Sequence, residues 1–248
     1  MANKKAKRAP KALNIALVVL GAAIIGFAAW AVANAVGVEK QPEDILNSGN
    51  IVIEPVEAPE IEDKAFMDGL VTVEKVGRYA GIFVEDGSDE IVSDVFAITV
   101  VNNSDKMLQY AQVVITCGGG EYTFDMSTIP AGARAQVLEK NKKALPEELS
   151  GAQTVLTTVT EFQEAPSTYP EVFELTPFEY SVNIKNISKS NISGDVYVYY
   201  KTKVGDLYMG GITYRAKVTD LAAGEEKSAY ASHFYGSDSE ILFVTYAK

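Results

Sequence analysis

Two stretches of this chain lie over one another without a gap. VFAITVVNNSDKMLQYAQVVITC (95–117) matches EYSVNIKNISKSNISGDVYVYYK (179–201) at an offset of 84, so that Phe96, Ile98 and Val100 fall on Tyr180, Val182 and Ile184. Asn102 then falls on Asn186 and Ser104 on Ser188. A second match follows, YTFDMSTIPAGARAQVL (122–138) over YRAKVTDLAAGEEKSAY (214–230), at an offset of 92. One folding unit that occurs twice accounts for both. Within each copy apolar residues alternate with Ala97, Thr99 and Val101, or with Ser181, Asn183 and Lys185. That period of two predicts strands with one buried face, and the Asn and Ser that follow read as a turn.

The larger second offset fits a longer hairpin in the second copy. It turns at Val204-Gly205-Asp206-Leu207, where the first copy turns at Gly118-Gly119-Gly120. Val155 to Thr160 and Ile241 to Tyr246 supply a last strand each, and Leu70 to Val76 and Ala80 to Val84 read as two extra strands before the first copy. The expected fold class is all-β, two tandem immunoglobulin-like antiparallel β-sandwich domains after one N-terminal transmembrane helix, with domain 1 at 65–164 and domain 2 at 170–248. "Immunoglobulin-like" describes architecture alone here. Cys117 is the only cysteine, so no intramolecular disulfide forms, and it reads as a small buried strand residue. Helix is expected only in the membrane segment, apart from a turn around Pro146 to Leu149.

From Ile15 to Ala33 the chain reads IALVVLGAAIIGFAAWAVA, 19 residues without a charge. At about 1.5 Å per residue such a helix is roughly 28 Å long, close to the ~30 Å hydrocarbon core of a bilayer. The basic residues Lys4, Lys5, Lys7, Arg8 and Lys11 lie just before it and predict a cytoplasmic N-terminus. The expected plan is a basic tail (1–11), a transmembrane anchor (12–35), an acidic extracytoplasmic stalk (36–64) and the two domains outside, a single-pass protein of the cell membrane. The other reading of the segment is a signal peptide, with Ala31, Ala33 and Ala35 offering small-residue cleavage patterns. The short run Ile51 to Ile53 has the alternative of pairing with a sheet edge.

Beyond those five basic residues, 17 of the 22 Lys and Arg face all 33 Asp and Glu, leaving the outer part near −16. A surface so acidic repels nucleic acid, which is excluded as a partner. The partners expected are the lipid bilayer, through the N-terminal helix, and a cell-wall glycan or a protein.

The chain holds no GxSxG, HExxH, Walker or GxGxxG pattern. His233 is its only histidine, which rules out a multi-histidine metal site. No cofactor is expected, and the chain reads as a non-enzyme. The loop Glu85-Asp86-Gly87-Ser88-Asp89-Glu90 offers Asp86, Asp89 and Glu90 as a weak calcium candidate, against its reading as a solvated turn without EF-hand spacing. The second copy is rich in tyrosine. In DVYVYY, Tyr197 and Tyr199 share one face, and with Tyr208 they form the candidate ligand-binding set. Cross-strand pairing that stabilises the sheet is the structural alternative.

The matched segments, especially GGITYRAKVTDLAAGEEKSAYASHFYGSDSEILFVTY (210–246), resemble membrane-anchored extracytoplasmic proteins of Gram-positive bacteria, and the pattern of strand, Asn-x-Ser turn (Asn102 to Ser104, Asn186 to Ser188), strand and later Ala-Gly-Glu turn is similar to FxLYD-type domains. The resemblance covers 96–160 and 178–246. The Phe-x-Leu-Tyr-Asp signature is absent, and Asp206-Leu207-Tyr208 echoes only part of it. It implies a surface location and supplies no catalytic residues. The sequence thus points to a surface-displayed binding module, with a structural subunit of an envelope complex as the alternative and an exported hydrolase third.

Overall fold

A computed structural model describes residues 52–54 and 70–247. The segments expected to form a cytoplasmic tail, a membrane anchor and an acidic stalk, apart from the paired residues 52–54, and the start of the first expected domain lie outside the described residues. Among those described, no helix is long and apolar enough to cross a membrane.

The chain is almost entirely strand. Its first part supplies β1 (Val52–Glu54), β2 (Val71–Ile82), β3 (Ile91–Asn102), β4 (Leu108–Cys117), β5 (Gly120–Ile129), β6 (Arg134–Leu138) and β7 (Gln153–Glu161). The second part supplies β8 (Phe173–Asn186), β9 (Ile192–Val204), β10 (Leu207–Met209), β11 (Tyr214–Leu221), β12 (Glu226–Tyr235) and β13 (Ser239–Tyr246). The sequence repeat is a repeat of topology. β4 pairs with β5 and β7, and β9 with β11 and β13; β3 pairs with β6, and β8 with β12, all antiparallel. In each copy the alternate residues face a core between two sheets. Phe96, Ile98 and Val100 pack with Val113, Phe124 and Val137 in the first, and Val182 and Ile184 with Val196, Val198 and Val218 in the second.

The aligned asparagines mark the expected turns, accepting from the amides of Ser104 and Ser188 at 3.0 Å, and are core residues as well. Asn102 and Asn186 are fully buried. The Asn102 side-chain amide donates to the carbonyls of Lys106, Ile129 and Pro130 at 2.8–3.0 Å, and that of Asn186 to Ser190, Leu221 and Ala222 at 2.8–3.1 Å. Ser104 and Ser188 donate their hydroxyls back to the two asparagine side-chain oxygens. Even the backbone irregularity is shared: Thr128 and Asp220, matched at the offset of 92, both have positive φ, 48° and 51°.

The copies share a sheet. β10 pairs antiparallel with β9 and parallel with β6, Leu207 to Met209 lying beside Arg134 to Gln136. One sheet therefore runs β1-β2-β3-β6-β10-β9-β11 through both. The first core also takes in Tyr208, Leu242 and Phe243 from the second copy. Residues Ile51–Lys248 form one compact unit.

Four local features differ from the reading of the sequence or sharpen it. The two strands expected at 70–76 and 80–84 are one twelve-residue strand, β2, whose register shifts near Glu74 and Ala80. Each bulge re-aims the side chains that follow, which breaks the period of two. Residues 52–54 lie against β2, Val52 opposite Ala80 and Glu54 opposite Arg78, so the short run does meet a sheet edge. No helical turn forms at Pro146 to Leu149; the helical piece among the described residues is a 3-10 turn at Gly236–Asp238. Finally, β8 is not straight. Fourteen extended residues would span roughly 45 Å, yet the Ile187 amide donates to the Val172 carbonyl at 2.9 Å and Lys185 lies 3.7 Å from Glu174. The strand folds back on itself at Glu179-Tyr180, where Tyr180 takes φ 63°.

Candidate functional site

The three tyrosines chosen from the sequence do not share one open face. Tyr208 is buried beside the first core, its phenol held above the ordinary value by burial and then by Glu240. Tyr199 stacks on Phe243, 4.4 Å between ring centroids and 15° between planes, and Phe243 meets Phe162 edge-on from the end of β7. Only Tyr197, next along the same face of β9, is placed to meet a ligand. Its hydroxyl donates to Asp195 at 2.8 Å, and the Arg215 guanidinium lies over its ring at 4.5 Å. Lys217, two residues further along β11, pairs with Asp195 at 3.3 Å. Arg215 has no carboxylate partner among the described residues. Its planar fork is supported on an aromatic face, while its N–H edges are left for an acceptor.

The acidic loop does not gather its carboxylates. Asp86 and Glu90 both pair with Lys142, and Asp89 turns to His233 Nε2 at 3.0 Å. No group of three His, Cys, Asp or Glu among the described residues is placed to hold a metal ion. His233 stacks on Tyr214, with 4.4 Å between centroids, and its Nδ1 lies 3.0 Å from Ser232 Oγ. The serine and carboxylate on either side of the ring form a chain of contacts that joins the β2–β3 loop to β12. Cys117 is buried, and burial holds its thiol above the ordinary value.

Between the copies a buried lysine and a carboxylate of opposite charge hold one loop without touching each other. The Lys201 ammonium donates to the carbonyls of Gly210, Gly211 and Ile212, and the Glu85 carboxylate accepts from the amides of Leu138 at 2.8 Å and Gly211 at 2.7 Å. The loop between β10 and β11 is thus gripped by a cation through its carbonyls and by an anion through an amide. Burial dominates both titrations, pushing Glu85 up and Lys201 down. A Cβ at Gly211 would collide with the Asp125 carbonyl, so the loop passes this close to the first copy only because that residue is glycine.

A different aromatic group was not singled out from the sequence. At the fold-back of β8, Phe178 is 49% and Tyr180 44% exposed, and Tyr230 on β12 is 76% exposed. Tyr180 meets Tyr235 edge-on at 6.0 Å. Glu179 beside it, more than its slight burial, holds the Tyr180 phenol above its ordinary value. Two neighbouring exposed aromatics in Phe178-Glu179-Tyr180 were the available signal, but Tyr180 was read as a core position because it aligns with Phe96.

Compared with known families, curated proteins and solved structures, the chain matches none.

Proposed function

We propose that this chain is a membrane-anchored, extracytoplasmic binding module without catalytic activity, and that it meets its ligand on the Tyr197–Arg215 face of the second copy. The observation that carries the site is the Arg215 guanidinium lying 4.5 Å over Tyr197, with no carboxylate partner among the described residues. A guanidinium held over an aromatic ring in this way fits a carboxylate or phosphate oxygen pair, so the ligand bears an acidic group. The anchor and the orientation rest on the apolar run Ile15 to Ala33 and its basic flank. The absence of nucleophile and phosphate-loop motifs supports a role in binding.

Two measurements test the reading. Protease shaving of intact cells, followed by mass spectrometry, is expected to release peptides from residues beyond 36 and none from before residue 12. Recovery of the whole chain from the cytosol would end the anchored role. For the site, full-length protein carrying Arg215→Glu is expected to bind isolated cell-wall material about tenfold more weakly than the unchanged chain, with less dependence on salt. Unaltered binding would remove the site from this face.

A further inference from the structure

The outward face of β8 and β12 carries an arrangement independent of the Tyr197 face. Because β8 folds back, three strand passes lie side by side there. The pairings Val172 with Ile187 and Glu174 with Lys185 set the register of the fold-back, which brings Phe178 opposite Ser181. Ser181 in turn lies opposite Tyr230 on β12. Phe178 and Tyr230 therefore stand one strand away on either side of a small hydroxyl residue, roughly 10 Å apart at ordinary strand spacing. Next down the same face Asn183 pairs with Ser228, and the Asn183 amide donates to Glu226 at 2.7 Å. The inner positions of the same passes, Val182 and Ile184, are buried in the second core, so this outer face rests on a rigid support.

We propose that this face binds a neutral glycan chain, two of whose sugar rings lie on Phe178 and Tyr230 while the Ser181 and Asn183 side chains hydrogen-bond to hydroxyls between them. The C–H faces of a pyranose ring are apolar and its edge is polar. A surface that alternates isolated rings with hydroxyl and amide groups complements both. Charge argues the same way. The neighbouring Glu179 and Glu226 oppose a polyanion on this face, whereas a neutral chain meets no such cost. A second copy of this chain fits less well, since the face shows no contiguous aliphatic patch of the kind obligate interfaces bury. Tyr180 adds a further observation. A bulky residue held at φ 63° is strained, and the strain keeps its ring at the end of the row, against Tyr235.

The test is a titration of the full-length chain in detergent micelles with chitohexaose, cellohexaose and the polyanion polygalacturonate. Phe178→Ser, Tyr230→Ala and Arg215→Glu variants are compared with the unchanged protein, and far-UV circular dichroism checks each fold. Both altered aromatics are well exposed, so the variants are expected to fold. The proposal expects one of the neutral hexasaccharides to bind, each aromatic variant to weaken it at least tenfold, and Arg215→Glu to leave it unchanged. It is overturned if neither neutral hexasaccharide binds, or if binding survives both aromatic substitutions. It also falls if polygalacturonate alone binds and loses binding through Arg215→Glu, a result that would support the Tyr197 face instead. Sedimentation of the same samples closes the remaining route: a dimer that dissociates in Tyr230→Ala would make the face a homotypic interface and end the glycan reading.

Discussion

At the scale of single residues, Asn102 and Asn186 hold the chain most tightly. Each amide reaches three carbonyls, and Asn102→Ala or Asn186→Ala takes the side-chain donor from the buried carbonyl of Ile129 or Leu221, whereas Lys106, Pro130, Ser190 and Ala222 keep other donors. Urea denaturation is expected to show a loss of about 2–3 kcal/mol for either variant. A change confined to the surface value of a few tenths would contradict the role. Tyr180 is expected to behave in the opposite sense. Its left-handed backbone suits Asn or Gly, and Tyr180→Asn is expected to raise stability by up to about 1 kcal/mol, less what the Tyr235 contact contributed. Thermal unfolding checks the sign.

Among the elements, the loop Gly210 to Thr213 between Glu85 and Lys201 makes a specific pH dependence. The folded Glu85 has a raised pKa, so the folded chain holds the extra proton from the ordinary value of 4.5 upward, and stability falls as pH rises through that window. The folded Lys201 has a lowered pKa, so below the ordinary value of 10.5 the unfolded chain holds the extra proton, and stability rises as pH rises there. The two slopes oppose each other and leave a dip near neutrality. The Glu85→Gln, Lys201→Met double variant is expected to flatten it in urea titrations between pH 5 and about 10; an unaltered profile would remove the pair as its cause.

This junction also marks where the sequence stopped being informative. The strands with a clean period of two, β4, β5 and β9, were legible, as were the glycine turn at Gly118-Gly119 and the repeat itself; β3 was legible as a strand but is buried on both faces from Val95 to Val100, where Val95 and Ala97 pack on Tyr79, Phe83 and Leu138. β2 was divided in two because its bulges flip the apolar face. The fold-back in β8 was missed because Glu179-Tyr180 carries none of the usual Asn or Gly turn chemistry. Lys201 and Glu85 are 116 positions apart, and no local pattern announces that they grip one loop. The same holds for the candidate site. Of the three tyrosines, Tyr199 and Tyr208 pack against residues remote in sequence, Phe243 and the first core, which no count of tyrosines on a strand reveals.

For the whole molecule, a continuous sheet and a core that borrows Tyr208, Leu242 and Phe243 across the repeat imply one cooperative unit. Near-UV and far-UV signals are expected to report a single coincident unfolding transition, and a chain truncated after residue 164 is expected to lose the native near-UV spectrum. Two separated transitions would show that the copies fold alone. The joint has a mechanical side as well. If the chain is tethered at one end and loaded at the other, tension between the copies must cross the three-residue parallel pairing of β10 with β6 and the clasped glycine loop beside it. Such a short seam resists sliding only as long as the clasp holds, so a pulling experiment should find the first yield point there, before the antiparallel sheets of either copy open.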